Sequence, residues 1–206
     1  MNSIINLPIF PLNGVIFFPN TNLPLNVFEN KYIEMINYSL SSNKYIGMIQ
    51  TKENGQLYKV GCVGKINSYE ETADGHYLIN LLGKNYFSIL SEKKTTTEFR
   101  LIEAKIHKSN NTHTQKKVYN INEGFKKKLI QKFTEFTKTS SSNIDINLLG
   151  KIDLSTIVKF IAMSSSFSVA DKQMLLETYN VEDLAKKLFT LFDYYSAISK
   201  NSETIN

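Results

Sequence analysis

Thiol and imidazole groups are the residues of this sequence best suited to metal binding or catalysis, and there are only four of them. They are Cys62, His76, His107 and His113. A zinc site needs three or four converging protein ligands. No two of these histidines have the i, i+4 spacing that places a ligand pair on one face of a helix. We therefore predict that the protein has no metal site and needs no cofactor.

Cys62 is the strongest candidate nucleophile, and its position argues against that role. It alternates with Val60, Gly64 and Ile66 on the apolar face of a predicted strand. Burial among apolar side chains raises the pKa of a thiol and leaves it unreactive. A hydrolase in which Cys62 or a histidine meets a distant partner in space remains an alternative. The residues themselves predict a protein without a catalytic group.

Motifs for phosphate binding and for a serine nucleophile are incomplete. A Walker-type loop requires a glycine five positions before the glycine of a Gly-Lys pair, and a Ser or Thr directly after the pair. The three Gly-Lys pairs lack both features and occur at Gly64-Lys65, Gly83-Lys84 and Gly150-Lys151. The serine run at 164–166 has no flanking glycines to form a nucleophile elbow. The sequence therefore predicts no nucleotide hydrolysis and no serine-based acyl transfer.

The charge balance is basic, and lysine dominates it. The chain has 24 Lys and Arg residues against 19 Asp and Glu, a net charge of +5, and its only arginine is Arg100. Proteins that read nucleic acid favour arginine for bidentate contacts, so RNA binding is kept only as a minor alternative. The run Lys126–Lys128 is interpreted as the solvated face of a helix. A patch for phosphate or for an acidic partner is the other interpretation of that run.

Features that direct a chain to membranes or to secretion are not found in the sequence. No apolar run approaches the roughly 20 residues that a membrane-spanning helix needs. The first residues carry no basic leader followed by an apolar stretch. A single cysteine cannot form an internal disulfide, which is typical of a reducing compartment. We therefore predict a cytoplasmic protein that is not associated with a membrane.

The spacing of apolar residues, which predicts the strands and helices that position the candidate groups, changes along the chain. In the first half apolar residues alternate with period 2, and Asp74-Gly75 predicts a hairpin turn. The nearly all-apolar strand at 77–81 is predicted to be buried on both faces. One helix, carrying Phe28 and Tyr32, interrupts the strands. In the second half the spacing becomes helical, with an apolar stripe of Ile121, Phe125, Leu129, Phe133 and Phe136.

These patterns predict an α+β protein with two lobes. Residues 1–108 form a β-rich lobe, a small, partly open barrel with one helix. Residues 109–117 are polar throughout and are predicted to be a linker. Residues 118–206 form a C-terminal helical bundle, because amphipathic helices must bury their apolar stripes against one another.

Several short motifs occur in an order that is similar to that of a known family. They are Leu7-Pro8-Ile9-Phe10-Pro11-Leu12, Phe18-Pro19, Leu23-Pro24-Leu25, Phe28-Glu29-Asn30-Lys31-Tyr32, Val60-Gly61-Cys62-Val63-Gly64-Lys65-Ile66, Gly83-Lys84-Asn85-Tyr86-Phe87-Ser88-Ile89 and Lys172-Gln173-Met174-Leu175-Leu176-Glu177. In this combination the chain resembles the amino-terminal, substrate-binding domain of Lon proteases over about residues 6–192. Asn20 departs from the family pattern, which usually has Gly after Phe-Pro. Tyr86 departs as well, since an Arg is usual before the Phe.

The resemblance implies a fold and a task. The family fold is a β-rich, PUA-like barrel joined to a helical bundle, and it holds unfolded or tagged polypeptides. Full Lon proteases add an ATPase and a Ser–Lys peptidase, and neither signature occurs in this sequence. We therefore expect a non-catalytic substrate-recognition module or adaptor, whose partners are polypeptides, a protease or a chaperone. The alternative is a structural subunit that self-associates as a homo-oligomer or docks on one fixed partner.

The predicted binding surface follows from the open barrel. An edge strand has unpaired amides and carbonyls that can accept an extended peptide. We expect the segment with Phe17, Phe18, Pro19 and Leu23 to lie beside that edge. If this segment is extended, its adjacent phenylalanines point to opposite sides and one of them is exposed. The alternative is that all four residues pack in the interior.

Overall fold

The protein, a computed structural model, is described over residues 3–107, 121–137 and 146–203. The chain divides into two compact units. The first comprises residues 1–111 together with 168–176, and the second comprises 112–167 together with 177–206. The predicted linker 109–117, which includes His113, and the predicted lobe boundaries at 108 and 118 all lie outside the described residues.

The first unit is built on one mixed sheet of six strands. Its elements are β1 (Ser3–Pro11), β2 (Asn22–Val27), α1 (Asn30–Leu40), β3 (Tyr45–Ile49), β4 (Val60–Glu71), β5 (Tyr77–Lys93) and β6 (Arg100–His107). The strand order is β2-β5-β4-β3-β1-β6, and β5 also pairs with β6. The pair β1–β3 is parallel and the others are antiparallel. The pairing therefore joins five strands into a ring, and β2 extends the sheet outside it.

The long strand β5 makes this arrangement possible. Its first part, up to Leu82, pairs with β2, and its later part, from Tyr86 onward, pairs with β6. Both partners lie on the same side of β5, while β4 runs along the other side. Inside the ring lies a core of Leu7, Ile9, Ile49, Val63, Phe87, Ile102, Ala104 and Ile106. Period-2 alternation supplies these residues, because alternate side chains of each strand face the interior.

The hairpin predicted at Asp74-Gly75 joins β4 to β5 and is confirmed. Gly75 has a φ of 79°, a left-handed conformation that glycine adopts without steric cost. Its N–H donates to the carbonyl of Thr72 at 2.9 Å, and the N–H of Thr72 donates to the carbonyl of His76, also at 2.9 Å. The turn fixes the register of β4 against β5, which in turn positions β2.

Helices supply most of the second unit. Its helices are α2 (Glu123–Thr137), α3 (Ile146–Lys151), α4 (Leu154–Ser164) and α6 (Val181–Glu203), whereas α5 (Val169–Leu176) belongs to the first unit. The predicted stripe on α2 is buried at Leu129 and Phe133. Phe136 extends it, with its ring centroid 5.3 Å from that of Phe192 on α6. Contacts among these aromatic side chains therefore hold α2 against α6.

Two capping pairs that residue type and spacing predict, Ser168 with Asp171 and Asn180 with Asp183, begin helices α5 and α6. The Asp171 N–H donates to the Ser168 hydroxyl oxygen at 3.1 Å, and that hydroxyl donates to the Asp171 carboxylate at 2.6 Å. The side-chain oxygen of Asn180 accepts from the Asp183 N–H at 3.1 Å. Each cap satisfies backbone donors that have no partner within the helix. Both predictions are confirmed.

At the level of fold class, the prediction of strands and helices in an α+β protein is confirmed as a mixed sheet with helices. Within the described ranges, no helix combines the length and the apolar character needed to cross a bilayer.

Candidate functional site

The predicted binding residues occupy two different environments. Phe17 and Phe18 are 1% and 0% exposed, and Pro19 is buried with them, whereas Leu23 on β2 is only partly buried. The expectation that one phenylalanine is exposed is therefore not met. The segment between β1 and β2 is a loop rather than an extended strand, so adjacent side chains need not alternate.

Close packing explains why both phenylalanines point inward. A Cβ atom built on Gly64 would lie 2.9 Å from a ring carbon of Phe17. A Cβ atom built on Gly83 would overlap the backbone carbonyl of Phe18. The loop therefore lies directly on β4 and β5, at positions where glycine leaves room for it. Leu23 is the one predicted residue that stays near the surface.

Strand β2 has a free edge. It pairs with β5 on one side, and no described residue forms a strand on its other side. The Gly83 N–H donates to the Thr21 carbonyl at 2.9 Å just before the strand begins. Because antiparallel pairing alternates along a strand, the backbone groups of Leu23 and Leu25 then face β5. Those of every second residue, starting at Asn22, face away from the sheet.

Pro24 shapes this edge. It is one of the three outward residues, together with Asn22 and Asn26, and it has no N–H to donate. Proline is tolerated in a sheet at such a position, where its nitrogen faces solvent rather than a neighbouring strand. The edge therefore offers three carbonyl oxygens and two N–H groups, those of Asn22 and Asn26.

Exposed apolar side chains lie beside the edge. Phe28, directly after β2, is 60% exposed, and Leu78 on β5, opposite Asn26, is 44% exposed. The Phe28 ring centroid lies 6.2 Å from that of His76 in the hairpin turn. We call Asn22–Val27 together with Phe28 and Leu78 the β2 edge. It combines unpaired backbone groups with apolar contact surface.

Sequence reasoning missed both apolar residues of the β2 edge. Helical spacing predicts that Phe28 lies on the first helix, but α1 begins at Asn30 and leaves it outside. Leu78 lies in the strand predicted to be buried on both faces. The structure buries Tyr77, Ile79 and Leu81 and exposes Leu78, so only one face is covered there. Alternation along the strand places Leu78 on the face opposite to that of Tyr77 and Ile79, and this pattern could have predicted its exposure.

Cys62 is fully buried, in agreement with its predicted place on the apolar face of β4. Its sulfur lies 3.6 Å from the Val63 carbonyl oxygen. The imidazole of His76 lies in the turn, with Nδ1 3.0 Å from the carboxylate of Asp74. A hydrogen bond from Thr72 lowers the pKa of that carboxylate. Cys62 and His76 therefore sit in separate parts of the unit, one inside the sheet and one at a solvated turn.

One serine–histidine pair appears that the sequence did not indicate. The Ser88 hydroxyl lies 2.7 Å from Nε2 of His107, across the β5–β6 pair. A nucleophilic pair of this kind requires a third group that orients the imidazole, and an oxyanion hole. In the part of the chain that the structure describes, no carboxylate contacts the His107 ring. This pair is best explained as a cross-strand hydrogen bond.

The structure also bears on the question of a metal site and on the lysine run Lys126–Lys128. Among residues 3–107, 121–137 and 146–203, no three His, Cys, Asp or Glu side chains converge to hold a metal ion. In the run Lys126–Lys128, the side chain of Lys126 is buried and its ammonium donates to the Gly150 carbonyl at 2.9 Å. The other two lysines are exposed. The predicted solvated face therefore holds for two of the three.

Comparison with known proteins identifies the family. The family model of the ATP-dependent protease La (LON) substrate-binding domain matches residues 6–193. The chain is similar to a Lon protease of Wolbachia pipientis, with 27% identity over 203 residues, and to one of Dictyoglomus thermophilum, with 26% over 194. It belongs to the family of LON substrate-binding domains.

The alignments cover nearly all of this chain but only a part of each relative. The alignments cover 91% and 88% of this chain but only 24% and 23% of the two Lon proteases. The chain thus spans about a quarter of the length of these relatives and matches their N-terminal part.

Solved structures show the same fold. The N-terminal domain of the Mycobacterium avium complex Lon protease aligns with a TM-score of 0.67 and 14% identity, over 92% of this chain and 98% of that one. A Lon N-terminal domain protein from Xanthomonas campestris aligns with a TM-score of 0.63 and 16% identity, over 90% and 98%. At these identities the likeness establishes the fold only.

Proposed function

We propose that this protein recognises polypeptides in an extended conformation and binds them along the β2 edge. The observation that carries the proposal is that edge: outward backbone groups on Asn22, Pro24 and Asn26, with exposed Phe28 and Leu78 beside them. Adding a strand to an open sheet is a general way to bind peptides, because main-chain hydrogen bonds recognise any sequence. Membership of a substrate-binding family supports the same role.

The edge is suited to weak and broad recognition. A peptide that pairs with β2 meets three carbonyl acceptors but only two N–H donors, since Pro24 supplies none. Each hydrogen bond contributes about 1 kcal/mol net, because it replaces a bond to water. Apolar contact with Phe28 and Leu78 adds to this at about 25 cal/mol per Å² buried. Such an interaction selects for exposed, extended and apolar segments, which unfolded chains present.

The protein would act as an adaptor rather than as an enzyme. The candidate catalytic groups support this, because Cys62 is buried and the Ser88–His107 pair has no orienting carboxylate among the described residues. Clients held at the edge would then pass to a separate protease or chaperone. The alternative, a subunit that docks on one fixed partner or on a second copy, would use the same free edge.

Proline substitution at the β2 edge tests the proposal. Asn22→Pro and Asn26→Pro remove the two outward N–H groups, at positions equivalent to that of Pro24, while leaving the bonds to β5 in place. Asn22→Ala and Asn26→Ala are the matched controls, since they lose the same side chains and keep the N–H groups. Binding of a reduced, alkylated unfolded protein is measured by isothermal titration or fluorescence anisotropy.

We expect the double proline variant to bind the unfolded protein at least about tenfold more weakly than the double alanine variant, a loss of roughly 1.4 kcal/mol. Equal binding by the two variants would rule out strand addition at β2. Sedimentation of the same variants tests the alternative. If the edge pairs two copies instead, the proline variant shifts to a smaller species.

A further inference from the structure

A cavity of about 500 Å³ opens on the first unit. It is lined by Ser42, Asn43, Lys44, Lys65, Ile66, Asn67, Leu82 and Lys84. These residues come from three places in the sequence: the loop after α1, the middle of β4 and the middle of β5. The sheet therefore brings three separate lysines, Lys44, Lys65 and Lys84, to one opening.

The charge in this cavity is not neutralised. In the region the structure describes, no carboxylate lies within 4.0 Å of the ammonium group of Lys44, Lys65 or Lys84. Other lysines of the protein do have such partners, as Lys31 does with Glu29 at 2.8 Å. Three like charges around one opening repel each other, so the arrangement favours an anion from solution.

Three of the residues that line this cavity have an irregular backbone: two lie at β-bulges and one has a positive φ. On β5, Lys84 is an extra residue, because Val63 pairs with Asn85 and Gly64 pairs with Gly83. Such a β-bulge redirects a side chain and is common next to functional sites.

A second bulge lies on β4. Ile66 pairs with Leu81 and Ser68 pairs with Asn80, which leaves Asn67 as the extra residue. Lys44 is the third irregular position, with a φ of 63° that non-glycine residues rarely adopt. All three irregular residues line the same cavity, so the unusual backbone converges on one place.

The hydrogen-bonding groups of the cavity are mainly donors. Each ammonium group has three N–H bonds and no acceptor. The side-chain oxygen of Asn43 is already engaged by the Tyr45 N–H at 2.9 Å, which leaves its amino group. The Ser42 hydroxyl donates to the Tyr38 carbonyl at 3.1 Å and retains its acceptor lone pairs. A ligand that fits these groups carries several acceptor oxygens and more than one negative charge.

We propose that this cavity is a binding site for a phosphate group. A phosphate monoester carries close to two negative charges at neutral pH and three strong acceptor oxygens, whereas a carboxylate offers one charge and two oxygens. Three lysines supply enough positive charge and N–H donors to neutralise and bind such a group. The group arrives either on a free phosphate compound or on a phosphorylated side chain of a polypeptide. The site is independent of the β2 edge, since the two share no residue.

The test measures binding of inorganic pyrophosphate, of a phosphoserine peptide and of the same peptide without phosphate, at constant ionic strength. The variant is Lys44→Gln with Lys65→Gln and Lys84→Gln. Its matched control is Lys94→Gln with Lys93→Gln and Lys52→Gln, which removes three exposed charges outside the cavity. Thermal melts of both variants confirm folding, and backbone amide shifts of Asn67 and Lys84 report where the ligand binds.

We expect the cavity variant to bind at least one phosphate probe more than about tenfold more weakly than the control variant, which stays within about twofold of the unaltered protein. Tighter binding of pyrophosphate would identify a free phosphate compound as the ligand. Tighter binding of the phosphoserine peptide would identify a modified polypeptide. Equal losses in the two variants, or no binding of any phosphate probe, would overturn the proposal. The proline variants at β2 should bind these probes normally, which separates this site from the edge.

Discussion

The loop that contains the buried Phe17 and Phe18 can lie directly on the sheet because the glycines beneath it have no side chains. Gly83 lies against the Phe18 backbone, and the Asn20 N–H donates to the Gly83 carbonyl at 2.9 Å. The Gly83 N–H in turn donates to Thr21 at the start of β2. One glycine thus fixes both the buried loop and the position of the β2 edge.

Gly83→Ala should therefore destabilise the protein by about 3 kcal/mol, because the added methyl group overlaps backbone that cannot move without breaking these bonds. The measurement is the free energy of unfolding in urea. Gly150→Ala in helix α3 is the control, since a methyl group there meets none of the described atoms within 4 Å. That substitution should be neutral or stabilising by up to about 1 kcal/mol. Equal stabilities of the two variants would contradict the packing described here.

Single residues were predictable where a local rule decides them. Cys62 follows from the alternation of β4, and the Asp74-Gly75 turn follows from the backbone freedom of glycine. Phe17 and Phe18 could not be assigned in the same way, because alternation holds only for an extended chain and they lie in a loop. The lysines of the cavity have no local signal either, since no spacing in the sequence relates Lys44 to Lys84.

Among the elements, β5 has the most partners in the sheet, because it pairs with β2, β4 and β6. Near its end the Glu92 carboxylate accepts two hydrogen bonds from Arg100 of β6, at 2.7 and 2.6 Å. These bonds lower the pKa of Glu92 below its ordinary value of 4.5. The pair therefore stabilises the folded state only while the carboxylate is ionised.

Glu92→Gln should lower the free energy of unfolding by about 0.5 kcal/mol at neutral pH, since the pair is partly exposed to solvent and screened by it. The unfolded carboxylate takes up protons at higher pH than the folded one, so the pair contributes fully above pH 4.5. Its contribution is lost as the pH falls through the lowered pKa. Urea unfolding at pH 7 and at pH 3 measures this. A difference between variant and unaltered protein that persists undiminished at pH 3 would exclude the ion pair as its cause.

The strands themselves were visible in the sequence, but their irregularities were not. A bulge adds one residue to one strand, and only the partner strand reveals which residue is extra. Asn67 and Lys84 therefore look like ordinary strand residues until the register of β4 against β5 is known. The exposure of Leu78 depends on the same non-local information, since covering its face would require another layer there.

At the scale of the whole molecule, the chain returns from the second unit to complete the first. Helix α5 attaches there through buried polar contacts. Gln50 is fully buried, and its amide donates to the Gln173 side-chain oxygen at 2.9 Å. Gln173 in turn donates to the Val60 carbonyl at 3.0 Å. The ammonium of Lys172 donates to the Gly14 carbonyl at 2.7 Å, and burial lowers the pKa of this lysine.

Gln173→Ala should destabilise the protein by about 2 kcal/mol, because it leaves the buried Gln50 amide and the Val60 carbonyl without this partner. The matched control is Gln131→Ala on α2, where an exposed glutamine bonds to Glu135 one turn away. That change should cost less than about 0.5 kcal/mol. Urea unfolding distinguishes the two. If Gln173→Ala is as mild as the control, the glutamine pair does not secure α5.

The family and the coarse fold could be read from ordered motifs, since these preserve the apolar frame across nearly the whole chain. The attachment of α5 could not. Its Ser168 cap was predictable from a local rule, but helical spacing does not reveal which partner an element packs against. The burial of Lys172 and Gln173 was equally hidden, because polar residues on a helix are expected to face solvent.

Hydrogen exchange at β2 tests the central claim most directly. The amides of Asn22 and Asn26 face away from β5 and should exchange rapidly in the protein alone, in contrast to that of Leu23. With a saturating unfolded polypeptide, we predict that both outward amides become protected while the exchange of Leu23 stays slow. If the polypeptide binds and the amides of Asn22 and Asn26 still exchange at their original rates, clients do not bind by adding a strand to β2.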